Sequence, residues 1–300
     1  MTFNENADIS GGKVSSRGGG GNRGMKIGGA GGGAAILIAI VVFAIQQFTG
    51  VDVSNVAGGL TGLQGGEIDT SGDSALHCTA AEANKDANCR IQGAAASLQT
   101  YWAGQVKGYT DPQGIVIFDQ STQTGCGAAS TDMGPFYCPS DQTIYIDPAF
   151  YDQLATQFHD NAGDLAQLYV IGHEWGHHIQ NITGTMKGKN LSATGAASDS
   201  VRLELQADCY AGAWIGDATT VKDENGNTFL EPVTSAQIDD ALKAAAAVGD
   251  DHIQETVQGQ ANPESFTHGT SAQRQKWFNT GLDGSPGQCQ TFGIPVAQLG

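Results

Sequence analysis

The pentapeptide His173-Glu174-Trp175-Gly176-His177 limits the fold more than any other stretch of this chain. Two imidazoles four residues apart share one face only if the backbone between them is helical. The apolar spacing of DLAQLYVIGHEWGHHIQNITG agrees and predicts a helix over about 162–182, with Gly184 available as its stop. On such a helix both rings can reach a single tetrahedral zinc ion. Glu174, one residue on, is turned by about 100° and cannot share that direction, but it can take a proton from water activated there. His178 is turned away by the same angle and reads as structural. With only seven histidines in the chain, this spacing on a helical segment is not a chance pattern.

Catalytic zinc takes three protein ligands and leaves one place to water, so a third donor is needed. The downstream candidates are Glu204, Asp208, His252 and His268. Glu204 and Asp208 stand four apart in ELQAD, on a helix that Ser198 or Asp199 can cap and that runs to about residue 216. One carboxylate can therefore bind metal while the other, a turn away, holds the far nitrogen of a ligand imidazole and fixes its tautomer. Glu204 is expected to be the ligand and Asp208 its supporting partner.

Around this pair the pattern predicts a helix over about 90–106, a strand at 114–119, a loop at 125–139 holding two cysteines, and a second strand, TIYID, at 143–147. Pro148 opens a helical stretch. Further helices are expected at about 235–248 and 271–281. DENGNTFLE at 223–231 has the look of a calcium loop but lacks Gly at its sixth position and Glu at its twelfth, so an Asn225-Gly226 turn is expected. The six cysteines suit disulfides: Cys78 with Cys89 and Cys126 with Cys138 as close pairs, and Cys209 with Cys289 by elimination, although sequence permits other pairings. No internal repeat is present.

Charge divides the chain. The first 26 residues sum to +2, which leaves −19 of the total of −17 on the remainder. So acidic a domain repels phosphate backbones, which argues against a nucleic-acid partner. Residues 1–26 read as a flexible, Gly-rich cytoplasmic arm and 27–48 as a transmembrane anchor, since no charge occurs between Lys26 and Asp52 and 34–45 read AAILIAIVVFAI. No small-residue cleavage site follows Ile45, so the segment is read as uncleaved. Cations before the span imply a cytoplasmic N-terminus and an exported catalytic domain, and the disulfide-like cysteines agree with export. Residues 49–75 read as a Gly/Ser-rich linker, 76–290 as the folded domain and 291–300 as a tail.

HEWGHHIQ followed by RLELQADCYAG resembles the putative neutral zinc metallopeptidase family of bacterial membrane-anchored proteins. It is similar, more distantly, to CAAX-type membrane zinc proteases and to thermolysin-like gluzincins, which share HExxH and a later ExxxD. GPFYCPSDQTIYID (134–147) and HGTSAQRQKWF (268–278) extend the likeness over about 76–290. The resemblance implies an α+β, zincin-like metallopeptidase domain, helix-rich with a small sheet, behind one N-terminal span. It implies Zn2+ held by His173, His177 and Glu204, with Glu174 as catalytic base. The 26 residues between His177 and Glu204 exceed the thermolysin-like spacing and leave an inserted loop at 183–197.

His268 and Arg274 could stabilise an oxyanion, or Arg274 could hold a carboxylate. TIYID is a candidate edge strand for an extended substrate, or a plain core strand. Asn181-Ile-Thr183 fits a glycosylation sequon but is discounted because the active helix ends there. The function expected is zinc-dependent endopeptidase activity on protein or peptide substrates. The alternatives are an exported zinc-binding scaffold or inactive peptidase homologue, marked by a closed four-ligand site, and a zinc hydrolase of non-peptide amides, marked by a blind pocket.

Overall fold

A computed structural model describes residues 2–17, 73–152 and 163–300. Strand β1 (Val14–Arg17) and β2 (Asp73–Ala75) precede α1 (Ala80–Ala83) and the long α2 (Ala87–Gln105). Strands β3 (Gly114–Ile117), β4 (Ser121–Thr124), β5 (Gly127–Ser130), β6 (Phe136–Cys138) and β7 (Thr143–Ile146) follow. The second half is helical: α3 (Asp164–Ile182), α4 (Asp199–Asp217), α5 (Ser235–Ala247), α6 (Asp250–Gln258) and α7 (Ser271–Leu282). The α+β class expected from sequence is present.

The main sheet has the order β2-β1-β3-β7-β6, and β4 and β5 form a separate hairpin. Strands β1, β3 and β7 run parallel, with antiparallel strands on both edges. Every residue of β7 is buried, so TIYID is an interior strand. Of the two readings its sequence left open, the core strand holds and the edge strand does not, since β7 lies between β3 and β6. The edge is β6, inside the stretch read as a loop, and the Cys126–Cys138 disulfide ties it to the β4–β5 hairpin.

Helices α3 and α7 pack against α4 because small residues let backbones approach. A Cβ on Gly176 of α3 would lie 3.1 Å from the Ala207 Cα, and one on Gly212 would lie 2.0 Å from the Phe278 carbonyl oxygen. Gly281 of α7 meets the Cys209 carbonyl at 1.9 Å in the same sense. No other residue type fits at Gly212 or Gly281 without moving a helix. Ser198 caps α4 by accepting from the Val201 N–H, and Gly184 takes the left-handed conformation that ends α3. The Trp214 indole crosses to the Ser97 hydroxyl of α2 at 3.1 Å, joining the helical half to the sheet half.

Residues 2–17 are built into this domain, which corrects the flexible-arm reading over that range. Phe3, Ile9 and Val14 are almost wholly buried. The Phe3 ring fills the space of an absent side chain at Gly93, whose Cβ would come within 2.5 Å of it. Asn84 accepts from the Phe3 N–H and donates to the Phe3 carbonyl at 2.6 and 3.0 Å. Asp223, in the turn that was set apart from calcium loops, accepts the Asp8 N–H at 2.8 Å, and the turn closes with Gly226 N–H on the Asp223 carbonyl. Arg17 meets Asp73 through two hydrogen bonds of 2.7 and 2.8 Å.

Residues 2–17 are therefore part of the folded domain they complete. The anchor at 27–48 and the linker as far as 72 fall outside the described residues, and 73–75 are β2. No helix among the described residues is long and apolar enough to cross a membrane. The tail reading of 291–300 is also corrected: Thr291 and Leu299 are buried, and the Trp277 indole donates to the Leu299 carbonyl.

Candidate active site

The buried face of α3 carries His173 and His177 toward α4, where Glu204 meets them. His173 Nε2 lies 3.1 Å from His177 Nε2 and 3.1 Å from Glu204 Oε2, and His177 Nε2 lies 3.5 Å from Glu204 Oε1. Bonds of about 2.0–2.1 Å to a tetrahedral centre would set such donors about 3.3 Å apart. The three separations match those of a zinc ligand set. Among the described residues this is the group of His, Cys, Asp and Glu side chains able to hold a metal ion. His252 lies exposed on α6, outside it.

The tautomers reinforce the fit. His173 Nδ1 is 2.8 Å from Asp208 Oδ1, and His177 Nδ1 is 2.9 Å from Gln180 Oε1. Both partners are acceptors, so each ring carries its proton on Nδ1 and turns a lone pair on Nε2 toward the other ring. Two lone pairs and a carboxylate converging in a buried space repel one another unless a cation or a proton lies between them.

In the metal-free protein the proton goes to His173. Burial opposes its charge, but Asp208 and Glu204 outweigh burial and hold its pKa up at about 10. Burial pulls His177 down to about 4. Burial would raise Glu204, but the field of His177 and the bond to His173 overcome it and keep Glu204 ionised.

Asp208 lies against the far nitrogen of His173, and its own support comes from Arg274. The guanidinium grips Asp208 through Nε to Oδ2 and Nη2 to Oδ1, both at 2.9 Å, while its other nitrogen reaches the Val248 carbonyl at 3.1 Å. Tyr169 donates its hydroxyl proton to Asp208 Oδ1 at 2.6 Å. Arg274 is only 4% exposed and is spent on these partners. All its nitrogens face the protein's own groups, which corrects its candidacy as an oxyanion stabiliser and leaves the other reading, a holder of a carboxylate. The carboxylate it holds is the protein's own.

Glu174 is buried beside the cluster, and burial lifts its pKa to about 8 against the opposing charge of His173. The amide of Tyr137, on edge strand β6, faces the Glu174 carboxylate and favours its charged form. His178 is structural as expected. Its Nε2–H donates to the Thr110 carbonyl at 2.7 Å, so Nδ1 accepts from the Tyr137 hydroxyl at 3.1 Å. The sequon residue Asn181 donates to the same hydroxyl from inside the fold, at 2.9 Å.

His268 sits within the electrostatic reach of Glu204. Its Nδ1 is held by Asp250 Oδ1 at 3.2 Å and the Thr267 hydroxyl at 2.9 Å, which leaves Nε2 as the free edge of the ring. Asp250 Oδ2 also accepts the backbone N–H groups of Thr267, His268 and Gly269 at 2.8, 2.6 and 2.9 Å. Burial would lower the His268 pKa, but Asp250 outweighs it and the pKa is raised.

Sequence reasoning did not single out Asp250 or Gln180. Asp250 heads α6, a helix too polar to be noticed, whereas Gln180 was in view, three residues after His177 on the same helix.

Two helices that bring HExxH and ExxxD together around one set of donors define a zinc-metallopeptidase type of site. The chain belongs to the family described as putative neutral zinc metallopeptidase, which it matches over residues 4–292. That match begins within the N-terminal segment packed on the domain. An uncharacterized protein of Mycobacterium tuberculosis is 48% identical over 224 residues, covering 74% of this chain and 75% of its own length. The uncharacterized protein YpfJ of Escherichia coli K12 is 38% identical over 273 residues, covering 87% of each. No solved structure matches this chain.

Proposed function

We propose that the protein is a zinc-dependent endopeptidase. The observation that carries this reading is the convergence of His173, His177 and Glu204 with both far ring nitrogens already engaged. These three would hold the zinc, which supplies the Lewis acidity that acidifies a water molecule and polarises the scissile carbonyl. Glu174 takes the proton from that water and delivers it to the leaving amine nitrogen. Burial raises the pKa of this carboxyl and the charge of a neighbouring zinc would draw it back down, which suits a group that accepts and then returns a proton near neutral pH. His268, charged through Asp250, offers Nε2–H to the oxygen on which negative charge develops. Edge strand β6, beside Glu174, gives an extended peptide a backbone to pair with. Among the described residues three side chains converge rather than four, which favours hydrolysis over a purely structural zinc.

Three disulfides support an oxidising setting for the domain together with residues 2–17. Attachment to a membrane through 27–48 then has to return the chain to the face it left, because Arg17 and Asp73 are bonded neighbours. The testing experiment pairs Glu174→Gln with casein degradation and zinc analysis. The variant keeps its zinc and loses about 10²–10⁴-fold in kcat, the usual span for a removed proton-transfer group. Wild-type turnover in that variant would refute the assigned base.

A further inference from the structure

The two imidazoles of the cluster are held by different means. His173 leans on the anion of Asp208, itself neutralised by Arg274. His177 leans on a neutral amide from its own helix, Gln180, which is fully buried. The orientation of that amide is fixed by its surroundings. Gln180 Nε2 lies 2.7 Å from the Leu203 carbonyl and 3.2 Å from Gln206 Oε1. A carbonyl can only accept, so the nitrogen must face Leu203 and the oxygen must face His177. Gln206 is fixed in turn, donating to the Cys289 carbonyl at 2.8 Å, next to the disulfide that binds Cys289 to Cys209 of α4.

We infer that Gln180 is a positioning residue for the metal site: its amide oxygen locks His177 in the tautomer that turns the Nε2 lone pair toward His173 and Glu204, and it does so without adding negative charge. The inference rests on the zinc reading above. The lack of charge has a purpose in this setting. Glu204, Asp208 and Glu174 already surround the cluster, and one more buried carboxylate would weaken the electrophilicity the reaction draws on. Gln206 acts as a buttress, carrying the fixed position of Cys289 inward to Gln180.

Zinc affinity measured by chelator competition on the full chain tests this. Gln180→Met removes the acceptor and should weaken zinc binding about 10–100-fold, the usual cost of losing a ligand's hydrogen-bonding partner. Gln180→Glu keeps an acceptor for His177 but loses the neutral charge and the donors to Leu203 and Gln206. It should hold zinc within a few-fold of wild type while kcat falls. Gln206→Met should weaken binding by less than Gln180→Met.

Equal losses in Gln180→Met and Gln180→Glu would mean that the amide only braces the helices, and would overturn the inference. So would a Gln180→Met chain that unfolds at lower temperature yet binds zinc as wild type does. Independently of any variant, the His177 Nδ1 proton in the zinc-loaded wild type should appear as a slowly exchanging, downfield NMR signal. Fast exchange there would also refute it. A wild type that binds no zinc would remove the site and this inference together, whereas failure confined to the Gln180 variants leaves the site intact.

Discussion

Residues 2–17 and the paired helices α3 and α4 both pack into one domain, yet they specify their places in opposite ways. The helices do it locally. His173, Glu174 and His177 on one, Glu204 and Asp208 on the other, acquire their relation from a 3.6-residue repeat before any tertiary contact exists. The N-terminal segment has no such internal rule. Phe3 needs the gap at Gly93, Asp8 needs Asp223, and Arg17 needs Asp73, all far along the chain. Chemistry written at helical spacing can be read from one segment, whereas a strand that completes someone else's sheet cannot.

Removing residues 2–17 breaks that comparison most severely. Phe3, Ile9 and Val14 are each worth about 1.5–3 kcal/mol of burial, and together they approach the whole stability of an ordinary domain. The truncated chain should show no cooperative thermal transition. If it melted as the intact protein does, the segment would be an arm after all.

Arg274→Met probes the helical region instead. It leaves the Asp208 carboxylate buried without its cation, which should cost about 3–5 kcal/mol by denaturant titration. A loss under ~1 kcal/mol would mean that Tyr169 and His173 suffice to hold Asp208.

The smallest effect expected is one of pH. His268 owes its raised pKa to Asp250, which overcomes burial. The charged form is present below that pKa and is lost as pH rises through it, so activity should fall on the alkaline side. In Asp250→Asn the same fall should come at lower pH. An unmoved alkaline limb would take His268 out of the reaction.

Much of the site could be read from the chain because helix periodicity is strict. The span of α3, the Ser198 cap, the meeting of Glu204 with the two histidines, and all three disulfide pairs follow the reading of the residues. What escaped has physical causes. Strand β6 is three residues long between Gly134 and Pro139, too short to show alternation. Strand β1 reads VSSR after a pair of glycines, and its polar residues suggest a loop until Arg17 finds Asp73. Arg274 is a cation on a helix by sequence, and only packing shows that it faces inward to Asp208.

The most direct test of the account is zinc stoichiometry after dialysis against a moderate chelator, in wild type and in Glu204→Ala. The wild type should retain one zinc per chain, and the variant should lose it. If Glu204→Ala kept the wild-type ratio, the metal would be held by other groups and the three-residue site proposed here would be wrong.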